Sequence, residues 1–423
     1  MRVLFVSRYL AIGGKRGNDE YVVAVLQAMA EAGFEIDYLW LGFPPTHLNW
    51  HPFPPRAAPA HRYHMPFAWR LGSWMIPRGW GLGLWIFLKR VWNFSQRCGW
   101  GRRSDLVQRI GRGLDGKLAR FEVPYGRDAF PSQEDVKAFG TALESSRPQL
   151  VMANYYVMAP LFDAITDPGV GKLILTHDAR HGDIAHEAEL ACLQKADLLL
   201  AIQEEDKEEL KRNLPDGEVV LLPMPLSSSP WQRRPQPGRV LYVGSAHAVN
   251  IQGLRWFLKE VWPRVLVRMP EAVFHICGTV GEAFPESMPQ VRKWGLVDDL
   301  SLEYAEAALV VVPLLIGTGL KIKLVEALQY GCPVVSTSPG LQGLAFAENR
   351  CVVRANSAEE MAEAIHQLLT NETECRRMED QARIVIEDYF LPAVSLRPLL
   401  AWCEQRANGP DQMEKGRILR PTL

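Results

Sequence analysis

Neither charge is in excess in this chain. Its 423 residues hold 47 Lys and Arg against 48 Asp and Glu, a formal net charge of −1, which argues against a protein that binds polyanions over its whole surface. Paired cysteine spacing is absent as well. The seven cysteines (98, 192, 277, 332, 351, 375 and 403) are scattered, with no C-x-x-C. An odd, unpatterned set argues against a disulfide framework or a cysteine zinc site, and for free buried thiols in a reducing compartment. No apolar run is long enough to span a bilayer as a helix, which takes about 20 residues; "GWGLGLWIFLKR" (79–90) falls short. The opening "MRVLFVSRYL" reads as a strand rather than a secretory signal. Gly13, Gly14 and Gly17 lack the G-x-G-x-x-G spacing of a nicotinamide enzyme, and no solenoid-period repeat is evident.

What remains is an ordinary soluble globular composition, 48% apolar and 22% charged, long enough for two or three domains. "VLFV" (3–6) is a continuous apolar run, as a strand buried on both faces requires. A glycine loop follows, then Asn18 as an expected N-cap with Asp19 and Glu20 in the first turn, Val22, Val25, Leu26 and Met29 at helical spacing, and Gly33 as a stop. "EIDYLWL" (35–41) completes a βαβ opening. The runs 149–156, 172–178 and 197–202 read as further buried strands. The segment 222–238, with five prolines and three consecutive serines, is the clearest linker. The βα rhythm then restarts with strands expected at 239–245, 272–278, 309–315 and 332–337. Two α/β domains joined by a proline-rich hinge put the expected active cleft between them.

The stretch "GTGLKIKLVEALQYGCPVVST" (317–337) concentrates the chemistry. A helix is expected from near Gly319, closed by Gly331 and Pro333, with Leu320, Leu324 and Leu328 as its apolar stripe. Lys321 and Lys323 then stand in the first turn, at the positive end of the helix dipole, where acids are preferred. Exposed backbone N–H groups, glycines that admit close approach and a lysine form a site for a phosphate or diphosphate, which removes the misplacement. Glu326, one turn deeper, is placed to accept from a pair of sugar hydroxyls. The plainer reading is a solvated helix with a Lys323–Glu326 surface pair worth roughly 0.2–0.5 kcal/mol. Position favours the site, because the helix follows a buried parallel strand.

"VPLLIGTGLKIKLVEALQYGCPVVSTSPGLQGL" (312–344) resembles the donor-site signature of the nucleotide-sugar-dependent glycosyltransferases of group 1 (family 4, GT-B fold). "LYVGSAHAVNIQGLRWFLKEVWP" (241–263), "VFHICG" (273–278) and "VRKWGLVDDLSLEYAEAALVVVPL" (291–314) resemble other pieces of that family's donor domain, and 175–210 the end of its acceptor domain. The resemblance covers most of the chain except roughly 45–145.

It implies two Rossmann-like, doubly wound parallel-sheet domains facing a central cleft. Residues 1–222 would bind the acceptor, 223–238 link, 239–390 bind the donor, and 391–423 hold a helix that would return to the first domain, plus a tail. By position, Glu326 would bind the ribose and Lys323 would neutralise the diphosphate. Backbone amides at Gly319 and Leu320 would approach the phosphate or sugar, with Gly244 and Ser245 lining the same site. Thr318 stands where many members carry a second glutamate that touches the transferred sugar, and His247 and Asn250 stand in a loop that often holds an arginine. Lys321 either supplies that charge or is solvated. Gly14 would let the first loop approach the diphosphate or acceptor. His177, just past a strand end, would contact the donor sugar near the reacting carbon, and with Lys323 makes the catalytic pair; Asp178 is either a partner or a helix cap. The sequence holds no Asp-x-Asp, so protein cations rather than a metal would stabilise the leaving group. No cofactor is expected beyond the nucleotide-sugar co-substrate. His181, Asp183, His186 and Glu187 fit no strong zinc spacing and read as a polar helix face.

Residues 61–127 carry thirteen Lys and Arg against three acids, and six tryptophans. Trp85, Trp92, Arg102 and Arg103 are the expected contacts to a lipid-linked acceptor or an anionic membrane surface; a tryptophan-containing subdomain with solvated arginines is the plainer reading. No motif for nucleic acid accompanies the charge. The expected function is transfer of a sugar to a saccharide, lipid-linked or other hydroxyl acceptor, with retention and without metal, in the cytoplasm or at the inner face of the membrane. The alternative is a non-catalytic glycan or nucleotide-sugar binding protein on the same fold. An epimerase would need a pair of acids placed for proton transfer, and none is identified.

Overall fold

A computed structural model describes residues 1–13, 17–42, 51–52, 54, 56–66, 68–71, 74–77, 130–177, 184–226, 232–317 and 319–408. Gly14, Trp85, Trp92, Arg102, Arg103, Asp178, His181, Asp183 and Thr318 lie outside the described residues, as does the tail from 409. The chain divides into two compact units: Met1–Lys15 with Met29–Thr176 and His181–Leu199, and Arg16–Ala28 with His177–Arg180 and Leu200–Leu423.

The first sheet is built on β1 (Arg2–Ser7) and β2 (Glu35–Trp40), which pair in parallel with Val3 beside Ile36 and Phe5 beside Tyr38. The short antiparallel strands β3 (His51–Pro52), β5 (Ala68–Leu71) and β6 (Trp74–Pro77) form a separate three-stranded sheet, while β4 (Arg62–His64) pairs in parallel with β2. Adding β7 (Leu150–Asn154), β8 (Gly171–Leu175), β9 (Leu198–Ala201) and β10 (Val219–Leu221) gives the seven-stranded order β10–β9–β8–β7–β1–β2–β4. The chain starts at β1, winds one way through β2 and β4, then returns to the other side of β1 at β7. Strands β1, β2, β7, β8 and β9 are buried along nearly their whole length, and all but β2, which holds the buried Asp37, read as largely apolar runs.

The second sheet runs β13–β12–β11–β14–β15–β16, with every adjacent pair parallel. Its strands are β11 (Arg239–Val243), β12 (Val273–Cys277), β13 (Val291–Gly295), β14 (Leu309–Val312), β15 (Val334–Ser336) and β16 (Val352–Arg354). The strand order reverses between β11 and β14. Loops leaving the carboxyl ends of two such strands diverge to opposite faces of the sheet and open the crevice in which doubly wound folds bind ligands. One of its faces packs Tyr242, Phe274, Val311 and Val335 against Leu254, Phe257, Val261, Trp262, Met361 and Ile365. Each fully buried side chain of this size contributes about 1.5–3 kcal/mol.

Local chemistry sets the element ends. The helix Ala248–Trp256 continues through a π turn at Phe257–Val261 into Trp262–Arg268. Pro263 lacks an N–H and would clash with the carbonyl four residues back, and the wider turn before it relieves both. The helix Gly17–Glu31 begins two residues earlier than expected, so Asn18 lies inside its first turn with Asp19 and Glu20. The six cysteines among the described residues are free, and all but the half-buried Cys375 are buried, as the scattered spacing implies.

Candidate active site

Two loops leave the sheet where its strand order reverses. Gly244 and Ser245 follow β11 and lead to the helix Ala248–Trp256. The second loop follows β14 and carries Gly317 and Gly319, both at positive φ (146° and 71°), before the helix Ile322–Gln329. These left-handed turns delay the helix, which starts at Ile322 rather than near Gly319, with Lys321 as N-cap. Leu320 therefore precedes the helix and is only half-buried, whereas Leu324 and Leu328 are fully buried as the stripe predicts. At the other end Gly331 takes φ 69°, its N–H donates to the Leu328 carbonyl, and the Cys332 N–H donates to that of Ala327. This paired left-handed cap satisfies carbonyls the ended helix leaves open.

Lys323 is half-buried in the first turn and no acid stands with it there. Its ammonium donates to Asn250 Oδ1 at 2.6 Å and to Tyr242 Oη at 3.2 Å, and lies 4.8 Å from the centroid of the Tyr242 ring. Asn250 in turn donates through Nδ2 to the Ser245 carbonyl at 3.0 Å and to Ser245 Oγ at 3.3 Å. Gly244 leaves room for this arrangement, because a Cβ there would stand 2.9 Å from the Tyr242 ring. Lys323 and Glu326 make no ion pair, so the surface pair of the plainer reading is not formed. Glu326 instead accepts from Tyr304 Oη at 3.2 Å, and the Tyr304 ring stacks on Tyr330 at 4.8 Å. Among the described residues no carboxylate lies within 4 Å of the Lys323 ammonium.

Burial disfavours the charged form of both groups. It pushes the Lys323 ammonium down to about 7, against a smaller opposing pull from Glu326. It pushes the Glu326 carboxyl up to about 7, with Glu20 adding in the same direction and the Tyr304 hydroxyl and Lys323 opposing. Lys321 is not solvated: it is 7% exposed and donates to the Gly319 carbonyl.

His177 lies two residues beyond β8, 3% exposed, with the Tyr21 ring edge-on at 5.4 Å. It shares no hydrogen bond with Lys323. The structure thus brings together Gly244, Ser245 and Lys323, with Glu326 one helical turn on and Gly319 and Leu320 in the adjoining loop. Tyr242, Asn250 and Tyr304 complete the cluster. The signals for them in sequence were slight: a phenol in the apolar run of β11, another three residues after Ser301, and an amide in the glycine loop's helix. A cleft of about 510 Å³ opens beside this loop, lined among others by Glu205, Gly317, Ser338, Gln342 and Arg354, at the carboxyl ends of β14, β15 and β16. Among the described residues no group of three His, Cys, Asp or Glu is placed to hold a metal ion.

Residues 237–371, the span that contains this cluster, match the family model described as glycosyl transferases group 1. An uncharacterized 44.6 kDa protein in the cps region of Klebsiella pneumoniae is 29% identical over 129 residues, 28% of this chain and 33% of that protein. An uncharacterized glycosyltransferase of Haemophilus influenzae is 22% identical over 211 residues, 47% of this chain and 59% of that protein. The chain thus spans less than two thirds of the length of either relative. Among solved structures, sucrose-phosphate synthase from Thermosynechococcus elongatus superposes with a TM-score of 0.62 at 16% identity, over 97% of this chain and 100% of that one. Residues 237–371 thus match the group 1 glycosyl transferases, in a chain whose two parallel sheets share the GT-B fold of its structural neighbours.

Proposed function

We propose that this chain transfers a sugar from a nucleotide-diphosphate sugar to a saccharide, lipid-linked or other hydroxyl acceptor. The observation that carries the reading is Lys323: a half-buried cation at a helix N-terminus, where the strand order reverses, held by two neutral acceptors and by no carboxylate among the described residues. A desolvated ammonium without a counter-ion is costly, and a diphosphate supplies one. Negative charge grows on the diphosphate as the glycosidic bond breaks. A fixed cation and helix N–H groups at that oxygen stabilise the transition state more than the ground state. Glu326 is the acceptor for the ribose hydroxyls, and His177 the contact for the transferred sugar. Retention of configuration and independence of metal belong to the same proposal.

The acceptor side rests on less. The basic, tryptophan-rich segment 61–127 supports contact with a lipid-linked acceptor or the inner membrane face, by composition alone. Among the described residues no helix is long and apolar enough to cross a membrane. A second reading, nucleotide-sugar binding without turnover, is favoured by one sequence feature, Thr318 where many members of the family carry a second glutamate.

A thermal-shift screen against UDP-, GDP- and ADP-sugars tests the proposal, followed by assay of nucleoside diphosphate release from any sugar that binds. One donor should raise the melting temperature by roughly 5 °C at a hundredfold excess over Kd and release nucleoside diphosphate slowly in water. A shift with no release, with or without added acceptors, would favour the binding protein. No shift with any donor would count against both readings.

A further inference from the structure

We propose that Asn250 is a positioning residue that locks the Ser245 loop and the Lys323 ammonium into one array of hydrogen-bond donors. The assignment of that array to a diphosphate rests on the function proposed above; the positioning itself does not.

The chemistry of Asn250's partners fixes its orientation. The Ser245 carbonyl can only accept and the Lys323 ammonium can only donate. A side chain that joins them must present a donor at one end and an acceptor at the other. The Asn250 carboxamide does so, with Nδ2 at 3.0 Å from the carbonyl and Oδ1 at 2.6 Å from the ammonium. Aspartate has no donor for the carbonyl, and leucine of similar shape has neither group.

Both ends of the chain are then left as donors. The Ser245 carbonyl already accepts from the His247 N–H at 2.8 Å as well as from Asn250. Ser245 Oγ accepts from Nδ2 at 3.3 Å, so its own O–H proton is directed elsewhere, and Ser245 is exposed. The ammonium has three N–H bonds. Asn250 takes one and Tyr242 Oη, at 3.2 Å, another; among the described residues no acceptor takes the third. One hydroxyl proton on the loop after β11 and one ammonium proton on the helix after β14 are thus joined through a single amide between them. Such an array suits two oxygens of one anion. Lys321 and Glu326 are the other charged groups that act on Lys323, and neither is altered by a change at 250.

The test compares Asn250→Asp, Asn250→Leu and Asn250→Gln with the wild type in the full-length chain. The apparent pKa of Lys323 is read from pH-dependent acetylation followed by mass spectrometry, with no ligand present. A carboxylate at 250 should raise it by about one unit, and loss of the acceptor should lower it. Asn250→Gln keeps both functional ends and should stay nearer the wild type than either. A merely structural role would move Asn250→Asp and Asn250→Leu the same way or not at all, and that result would overturn the proposal. In parallel, Kd for UDP, GDP and ADP should rise about tenfold in both variants. Opposite pKa shifts with no nucleotide bound by the wild type would leave Asn250's role intact and count against sugar transfer. Nucleotide binding with unmoved pKa values would do the reverse.

Discussion

Replacing Lys323 with alanine is expected to lower kcat/KM for the nucleotide-sugar donor by about 10²–10³, the scale seen when a fixed electrostatic stabiliser is removed. Most of the loss should fall on kcat. In the proposed reaction the lysine would meet more charge on the departing diphosphate than on the bound donor, so its removal would cost more in the transition state. Stability should move little or rise, because burial already opposes the charged lysine and holds it near 7. A melting temperature kept or raised together with lost turnover would separate this outcome from misfolding. Steady-state kinetics within twofold of the wild type would sink the assignment.

Glu326→Gln is expected to raise KM for the donor about 10- to 100-fold, since hydrogen bonds to a charged acceptor carry about 1.5–3 kcal/mol. The same variant has a pH signature. Glu326 holds its proton in the fold up to about 7, against an ordinary value of 4.5. A folded pKa above the unfolded one stabilises at low pH, and that contribution is lost as pH rises toward about 7. Relative to Glu326→Gln, the wild type should therefore lose stability between pH 4.5 and 7. Urea melts of both proteins across that window, run in parallel, check the sign; parallel curves would show that the carboxyl titrates normally.

Much of this arrangement was legible in the sequence, for reasons particular residues make plain. β1, β7, β8, β11, β12 and β14 are buried parallel strands, and burial on both faces writes itself as an unbroken apolar run. β13 was not found. It is an edge strand whose Arg292 and Trp294 are exposed, and the alternation with charge masks it. β16 is the opposite edge and only three residues long. The helix of Lys323 starts later than its apolar stripe implies because nothing in the letters shows that Gly317 and Gly319 both adopt positive φ. Lys323 and Glu326 stood out because a glycine loop after an apolar strand marks a sheet's carboxyl edge. Their partners did not: Asn250 lies 73 residues from Lys323 and Tyr304 22 residues from Glu326. The Asn250–Lys323 pairing exists only once β11 and β14 lie side by side, and the Tyr304–Glu326 pairing only once the helices before and after β14 meet.

The central claim is that the Lys323 ammonium is the protein's counter-ion for a nucleotide diphosphate. Calorimetric titration with the nucleoside diphosphate of the best donor, at pH 8 in two buffers of different ionisation enthalpy, addresses it directly. With its pKa near 7, the free lysine is mostly neutral at pH 8. A bound diphosphate favours the charged form and raises that pKa, so binding should take up close to one proton, and Lys323→Met should abolish the uptake. Tight binding with no proton uptake, or the same uptake in Lys323→Met, would contradict the account.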